Sequence, residues 1–286
     1  MRFRFGDVEF GGLGSSLIVS GFDPGSMQVR SQDEDAALRD GVLPGKDFFG
    51  GATWRFDLVT NGASMADALA VDAALSRAWK DAEVRLTPLA TVPLSYEVGG
   101  RWRRVYGRPD AYIGLNGDVR AAQGGGRITA DFRVLDPRHY SDEERSTRLS
   151  IVPASTGGLR SPLVAPLSTT RSSAPRAGLV SNDGDYATAL AVTFHGPVSD
   201  PWVRSARGWE AGLIGALAYD QSVTLDGRTG TVLRQDGAPV PGMVSRATRM
   251  SRLTLPPGGS ELTFGGTDPT GTAYVDLTWR HAYSSI

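Results

Sequence analysis

Cysteine is absent from the 286 residues, which excludes disulfide frameworks, thiolate metal sites and cysteine nucleophiles and leaves burial and hydrogen bonding to hold the fold. Lysine is nearly absent as well. Of the 30 basic residues only Lys46 and Lys80 are lysines; a GC-rich coding sequence accounts for that bias, and the arginine fork also suits carboxylate pairing and subunit contacts better than an ammonium does. No stretch approaches the ~18 consecutive apolar residues of a membrane span. The first ten residues, MRFRFGDVEF, alternate Arg with Phe where a signal peptide has a basic start and an apolar run, so a soluble, unprocessed chain without membrane insertion is expected. Strong charge of either sign is missing too. Basic and acidic residues number 17 and 18 in residues 1–140 and 13 and 13 in residues 141–286, and neither half has the positive field from which nucleic-acid binding draws its affinity, so no nucleic-acid specificity is expected.

Catalytic and ligand-binding signatures are equally scarce. His139, His195 and His281 lie far apart, each in strand or strand-end context, without the close spacing of a zinc ligand set. Asp40–Asp47 superficially resembles a phosphate loop, but Asp40 stands where the first glycine belongs and Asp47 where magnesium needs Ser or Thr. Gly12-Leu13-Gly14 leads to Leu17 where a dinucleotide fingerprint has Gly or Ala, and no GxSxG elbow exists. Asp33-Glu34-Asp35 and Asn182-Asp183-Gly184-Asp185 are acidic enough for calcium, yet such residues also simply favour turns. Among 31 acids some pair falls by chance at glycosidase distance, and nothing singles one out. No catalytic residue, metal or cofactor is expected.

What is present is alternation. Phe3 and Phe5 alternate with Arg2 and Arg4, Trp54, Phe56 and Leu58 with Thr53, Arg55 and Asp57, and Ile128, Ala130, Phe132 and Val134 with Arg127, Thr129, Asp131 and Arg133. Each run predicts a half-buried strand. Gly99-Gly100 between two such runs predicts a hairpin turn. One segment, residues 64–80, has helical spacing through Ala68, Val71, Leu75 and Ala78, with Ser64 and Asp67 placed as a capping box. Residues 153–178 are a Ser/Thr/Pro-rich connection within a change of texture that marks the best domain boundary. Beyond it, short runs near Leu190–Phe194, Leu213–Tyr219, Val223–Leu225, Val232–Arg234, Met250–Leu255, Leu262–Phe264 and Ala273–Tyr283, divided by turns such as Asp226-Gly227, Asp236-Gly237 and Asp268-Pro269, predict an antiparallel sandwich. The fold class is mainly β, with residues 1–140 carrying the single helix and residues 141–286 forming the sandwich.

The richest basic stretch, RWRRVYGR at residues 101–108, interleaves arginines with Trp102 and Tyr106. In a strand it makes a sheet with one apolar and one charged face, and stacking on single-stranded bases is the alternative. Arg101, Arg103 and Arg104 are therefore candidate subunit-interface residues, with charge reversal at Arg103 or Arg104 expected to weaken assembly more than folding. Asp33, Glu34, Asp35 and Lys46 join them, because the charged loop of residues 33–47 is long enough to reach a neighbour and is expected to order on assembly.

Taken in order, the Asp40-Gly41 turn leading through Asp47 to the strand at 52–59, the helix, Val105-Tyr106-Gly107-Arg108-Pro109, and Asp136-Pro137-Arg138-His139-Tyr140 resemble the first domain of a siphophage distal tail protein. Asn182-Asp183-Gly184-Asp185, Asp200-Pro201-Trp202-Val203, Leu255-Pro256-Pro257-Gly258 and Trp279-Arg280-His281-Ala282-Tyr283 resemble that family's galectin-like sandwich. The resemblance spans nearly the whole chain. It implies a tail-tube-like first domain, a galectin-like second domain and a structural virion protein at the phage tail tip, assembled in the host cytoplasm. The implied homohexameric ring continues the tail-tube protein, meets the tape-measure end and the tail hub, and holds receptor-binding proteins at its periphery. A carbohydrate-binding or glycan-degrading protein acting at the host cell wall is the alternative.

Overall fold

The computed structural model describes residues 1–116, 119–154, 172–174, 176–268 and 270–286. They form two compact units: Met1–Asp142 with Ser284–Ile286, and Glu143–Tyr283.

The first unit runs β1 (Phe3–Phe5), β2 (Val8–Phe10), β3 (Leu17–Asp23), β4 (Val29–Arg30), β5 (Glu34–Asp35), β6 (Val42–Leu43), β7 (Phe48–Phe49), β8 (Ala52–Thr60), α1 (Met65–Trp79), α2 (Ala82–Leu86), β9 (Val92–Val98), β10 (Arg101–Ile113), β11 (Arg127–Val134) and β12 (His139–Ser141). Its main sheet is antiparallel in the order β2-β1-β9-β10-β11-β8-β3, with β12 beside β10. The two ends of that ladder meet: Gly11 donates to Leu17 O at 3.0 Å and accepts from Val19 N–H at 2.8 Å. The sheet thus curls around its own apolar face, where Phe3, Phe10, Trp54, Phe56 and Tyr96 are buried in edge-to-face and stacked contacts. Alternation supplied that face; β8 buries every second residue from Ala52 to Thr60. The Gly99-Gly100 turn closes β9 on β10 with φ of 56° and 76°, the positive pair that a two-residue hairpin needs.

Helix α1 begins where the capping pattern places it. Ser64 Oγ accepts from Asp67 N–H at 3.3 Å and donates to Asp67 Oδ2 at 2.9 Å, and Leu75 and Trp79 pack into the core beside Phe5 and Phe132. The expectation of a single helix is corrected by α2. This five-residue turn has Asp81 as its N-cap, and it is too short for a period of 3.6 to register. Arg108 ties its exit to β10, donating to Ala90 O at 2.6 Å and Thr87 O at 2.7 Å.

The second unit runs β13 (Arg145–Ser150), β14 (Val152–Ala154), β15 (Ser172–Ala174), β16 (Arg176–Asn182), β17 (Thr188–His195), β18 (Val198–Ser205), β19 (Glu210–Gly212), β20 (Ala216–Leu217), β21 (Ser222–Asp226), β22 (Thr231–Arg234), β23 (Thr254–Leu255), β24 (Gly258–Thr267) and β25 (Tyr274–Trp279). One antiparallel sheet is ordered β13-β25-β17-β21-β22, the other β16-β24-β18-β19. Leu190, Val192, Phe194, Leu225, Val275 and Leu277 from the first and Val180, Val203, Leu262 and Phe264 from the second belong to one buried cluster, as a sandwich requires. Two expected strands shrink. Met250–Arg252 is a 3₁₀ turn, leaving only Thr254–Leu255 extended, and within 213–219 only Ala216–Leu217 is a strand. Of the connection at 153–178, residues 155–171 and 175 lie outside the described residues, as does Pro269 of the expected Asp268-Pro269 turn.

Candidate functional site

The strand β10 does not present one charged face. Arg103 is opposite Tyr96 and Arg104 opposite Ser95, so the pleat sends the two arginines to opposite sides of the sheet and corrects the expectation of an apolar and a charged face. Arg104 is engaged within its own chain: Nε donates to Asp142 Oδ1 at 2.8 Å and Nη2 to the Asp142 carbonyl at 3.2 Å. Arg4 reaches Asp142 Oδ2 at 2.8 Å and Ser95 Oγ donates to Oδ1 at 2.9 Å. Burial raises the Asp142 pKa, but Arg104, Ser95 and Arg4 together outweigh it and hold the carboxyl below its ordinary value. Arg103 donates to Ser285 O at 2.9 Å and its charge faces Tyr96, whose hydroxyl sits 2.6 Å from His139 Nδ1 and whose pKa is raised by burial. Arg101 is exposed at the hairpin end, without a side-chain partner among the described residues. Beside Arg104, Trp102 carries the guanidinium of Arg4 at 5.0 Å.

The loop at 33–47 is already paired. β5 and β6 match Glu34 with Leu43 and Asp35 with Val42, and β4 and β7 match Val29 with Phe49 and Arg30 with Phe48. Gln32 N–H donates to Lys46 O at 3.2 Å between them, so residues 29–49 fold back as a two-stranded arm. Asp33 latches the arm: Oδ1 accepts from Gly45 N–H at 2.7 Å, and bonds from Ser31 and Gly45 lower its pKa. Gly45 is required there, because a Cβ would collide with the Gln32 carbonyl. Sequence reasoning saw the charges of this arm and missed its apolar residues. Leu38 is fully exposed at the tip, and Val29, Val42, Leu43, Phe48 and Phe49 are 45–57% exposed. The one available signal was Phe48-Phe49 adjoining a polar loop.

In the second unit the acidic loop Asn182–Asp185 is a structural latch. Asn182 is buried and donates to Tyr186 O at 2.7 Å and Leu255 O at 3.1 Å, while Asp183 N–H donates to His281 Nδ1 at 2.9 Å. On the outer face of the other sheet, Arg148 forks Asp276 at 2.7 and 2.9 Å. Tyr274 is covered on its ring by Arg148 at 4.0 Å and stacked with His195 at 4.3 Å. His195 Nε2 lies 3.2 Å from Asp276 Oδ2 but out of line for a hydrogen bond, and burial, more than Asp276 offsets, lowers its pKa. Among the described residues no three His, Asp or Glu side chains gather in a metal-binding arrangement.

No family model matches the chain, and no curated protein matches it. Solved structures do. The crystal structure of the SPP1 Dit protein, described as a paradigm of the hub adsorption apparatus in phages infecting Gram-positive bacteria, aligns over 92% of this chain and 93% of its own with a TM-score of 0.55 and 14% identity. A chain of the phage P2 baseplate in its calcium-activated conformation aligns over 97% of both with a TM-score of 0.55 and 10% identity. A chain of the strontium-activated baseplate gives 97% and 96%, 0.54 and 11%. Over both of its units, this chain has the fold of phage hub and baseplate proteins.

Proposed function

We propose that the chain is a siphophage distal tail protein: a structural virion component that forms a homohexameric ring beneath the tail tube and joins it to the hub and to peripheral receptor-binding proteins. In this reading the first unit is the tube-like ring former and the second a galectin-like sandwich facing outward. What carries the proposal is the near-complete, two-way alignment with the hub and baseplate structures. The arm supports it independently. An isolated two-stranded ribbon is marginal in water, and this one leaves several large apolar side chains uncovered, each worth roughly 1.5–3 kcal/mol when buried. A second copy of the chain is the cover we assign to it, since a closed ring uses one heterologous contact repeatedly. Arg101 and the arm residues Glu34, Asp35 and Lys46 are the interface charges in this reading, while Arg104 and Asp33 act inside the chain.

Native mass spectrometry and negative-stain imaging of the purified protein test the proposal, with six-fold rings expected. A monomer at all concentrations, with no ring on adding tail-tube and hub proteins, would overturn it. The scaffold makes and breaks no bond, so a peptidoglycan release assay is expected to show no turnover and a glycan array no strong binding.

A further inference from the structure

Beside β19 the second unit has a cavity of ≈ 360 Å³ bounded by Arg204, Trp209, Glu210, Ala247, Arg249 and Arg252, among others. Its charges do not balance. Arg204 Nε donates to Glu210 Oε2 at 2.6 Å and its guanidinium lies 4.1 Å from the Trp202 ring, so that pair is self-contained. Arg249 Nη1 reaches only the Arg246 carbonyl, at 3.4 Å, and neither Arg249 nor Arg252 has an acidic partner among the described residues. The sequence explains why: from Gly237 to Ser260 the chain contains Arg246, Arg249 and Arg252 and no Asp or Glu. Arg249 is the N-cap of the 3₁₀ turn Met250–Arg252 and Arg252 its last residue, and both line the cavity.

The remaining walls are specific. Trp209 is 9% exposed and donates its indole N–H to Thr254 O at 3.1 Å, so toward the cavity it offers carbon and no free donor. β19 ends its sheet. The chain after β22 closes the outer side of β19 at Gly212, where Gly212 N–H donates to Thr248 Oγ1 at 2.9 Å and Ser245 N–H to Gly212 O at 2.9 Å. The Trp209–Glu210 end borders the cavity.

We infer that this cavity takes an acidic segment of a partner polypeptide, with one carboxylate held between Arg249 and Arg252 and neighbouring apolar atoms against Trp209. Guanidinium forks match carboxylates, and the volume is that of an organic ligand site, more than a bare oxyanion fills. The inference rests on the scaffold reading only for the owner of the segment, a peripheral tail component; the chemistry of the cavity stands by itself.

Fluorescence anisotropy of a labelled penta-glutamate peptide with Gly-Ser flanks, titrated with the full-length protein, tests it. Saturable binding is expected, weakened about tenfold by Arg249→Gln and by a similar factor by Arg252→Gln, and reduced by salt. Both arginines are exposed, so both variants are expected to melt like the parent. Arg234→Gln removes an equal charge from a surface pair with Asp236 and is expected to leave binding unchanged. The inference is overturned if the peptide does not bind, if its glutamine counterpart binds equally, if Arg234→Gln weakens binding as much, or if inorganic phosphate binds and the peptide does not. Rings counted by native mass spectrometry in the same samples keep the two readings apart: intact rings without peptide binding remove this inference and leave the scaffold standing.

Discussion

Asp142 shows how a single carboxylate changes what an arginine means. Two guanidiniums and a serine hydroxyl converge on it, and both Arg104 and Asp142 side chains are less than one-fifth exposed. Removing Arg104 leaves a poorly solvated charge with fewer partners, and Arg104→Gln is expected to destabilise the protein by about 2 kcal/mol, lowering its melting temperature by several degrees. Arg101→Gln, at an exposed hairpin end, is expected to stay within about 0.5 kcal/mol of the parent. Thermal melts of the two variants decide this. Because the folded carboxyl of Asp142 titrates below its unfolded value, its contribution is present above the unfolded pKa and is lost as pH falls through the folded one. Stability is therefore expected to decline below about pH 4, and Asp142→Asn, less stable at neutral pH, to lose part of that acid limb in melts taken across pH.

At the scale of elements, the cap of α1 and the arm make opposite predictions. Ser64→Ala removes an N-cap acceptor and is expected to cost about 1 kcal/mol in any assembly state, read by chemical denaturation. Phe48→Ser with Phe49→Ser touches side chains already half exposed, so the single chain is expected to melt unchanged while the ring population in native mass spectra collapses. Rings retained at the parent's population would refute the role given to the arm. Gly45→Ala, through its clash with the Gln32 carbonyl, is expected to open the arm and speed proteolysis at its 36–41 tip, with the melting temperature of the core held. These elements also mark where sequence was legible. The long alternating strands, the Gly99-Gly100 turn and the capped helix could be read because their periods and turn residues are local properties. The helix α2 and the two-residue arm strands could not, because none is long enough for its period to repeat.

For the molecule as a whole, the proposed ring supplies a cover for the exposed apolar side chains of the paired arm. Mass and imaging of the purified protein, alone and with tail-tube and hub proteins, address that scale directly. The amino-acid sequence by itself determined that the chain is mainly β, that alternation buries one face of each long strand, and that a single long helix is capped at Ser64, since each of these depends on residues within a few positions of one another. Only the tertiary structure decided that Arg103 and Arg104 part to opposite faces, that Asp142 holds Arg104 across 38 residues, that the charged loop is a paired arm with apolar sides, and that Arg249 and Arg252 share a cavity with Trp209. Those facts depend on register and on partners distant in the chain, and composition and period carry no record of which distant residue a side chain meets.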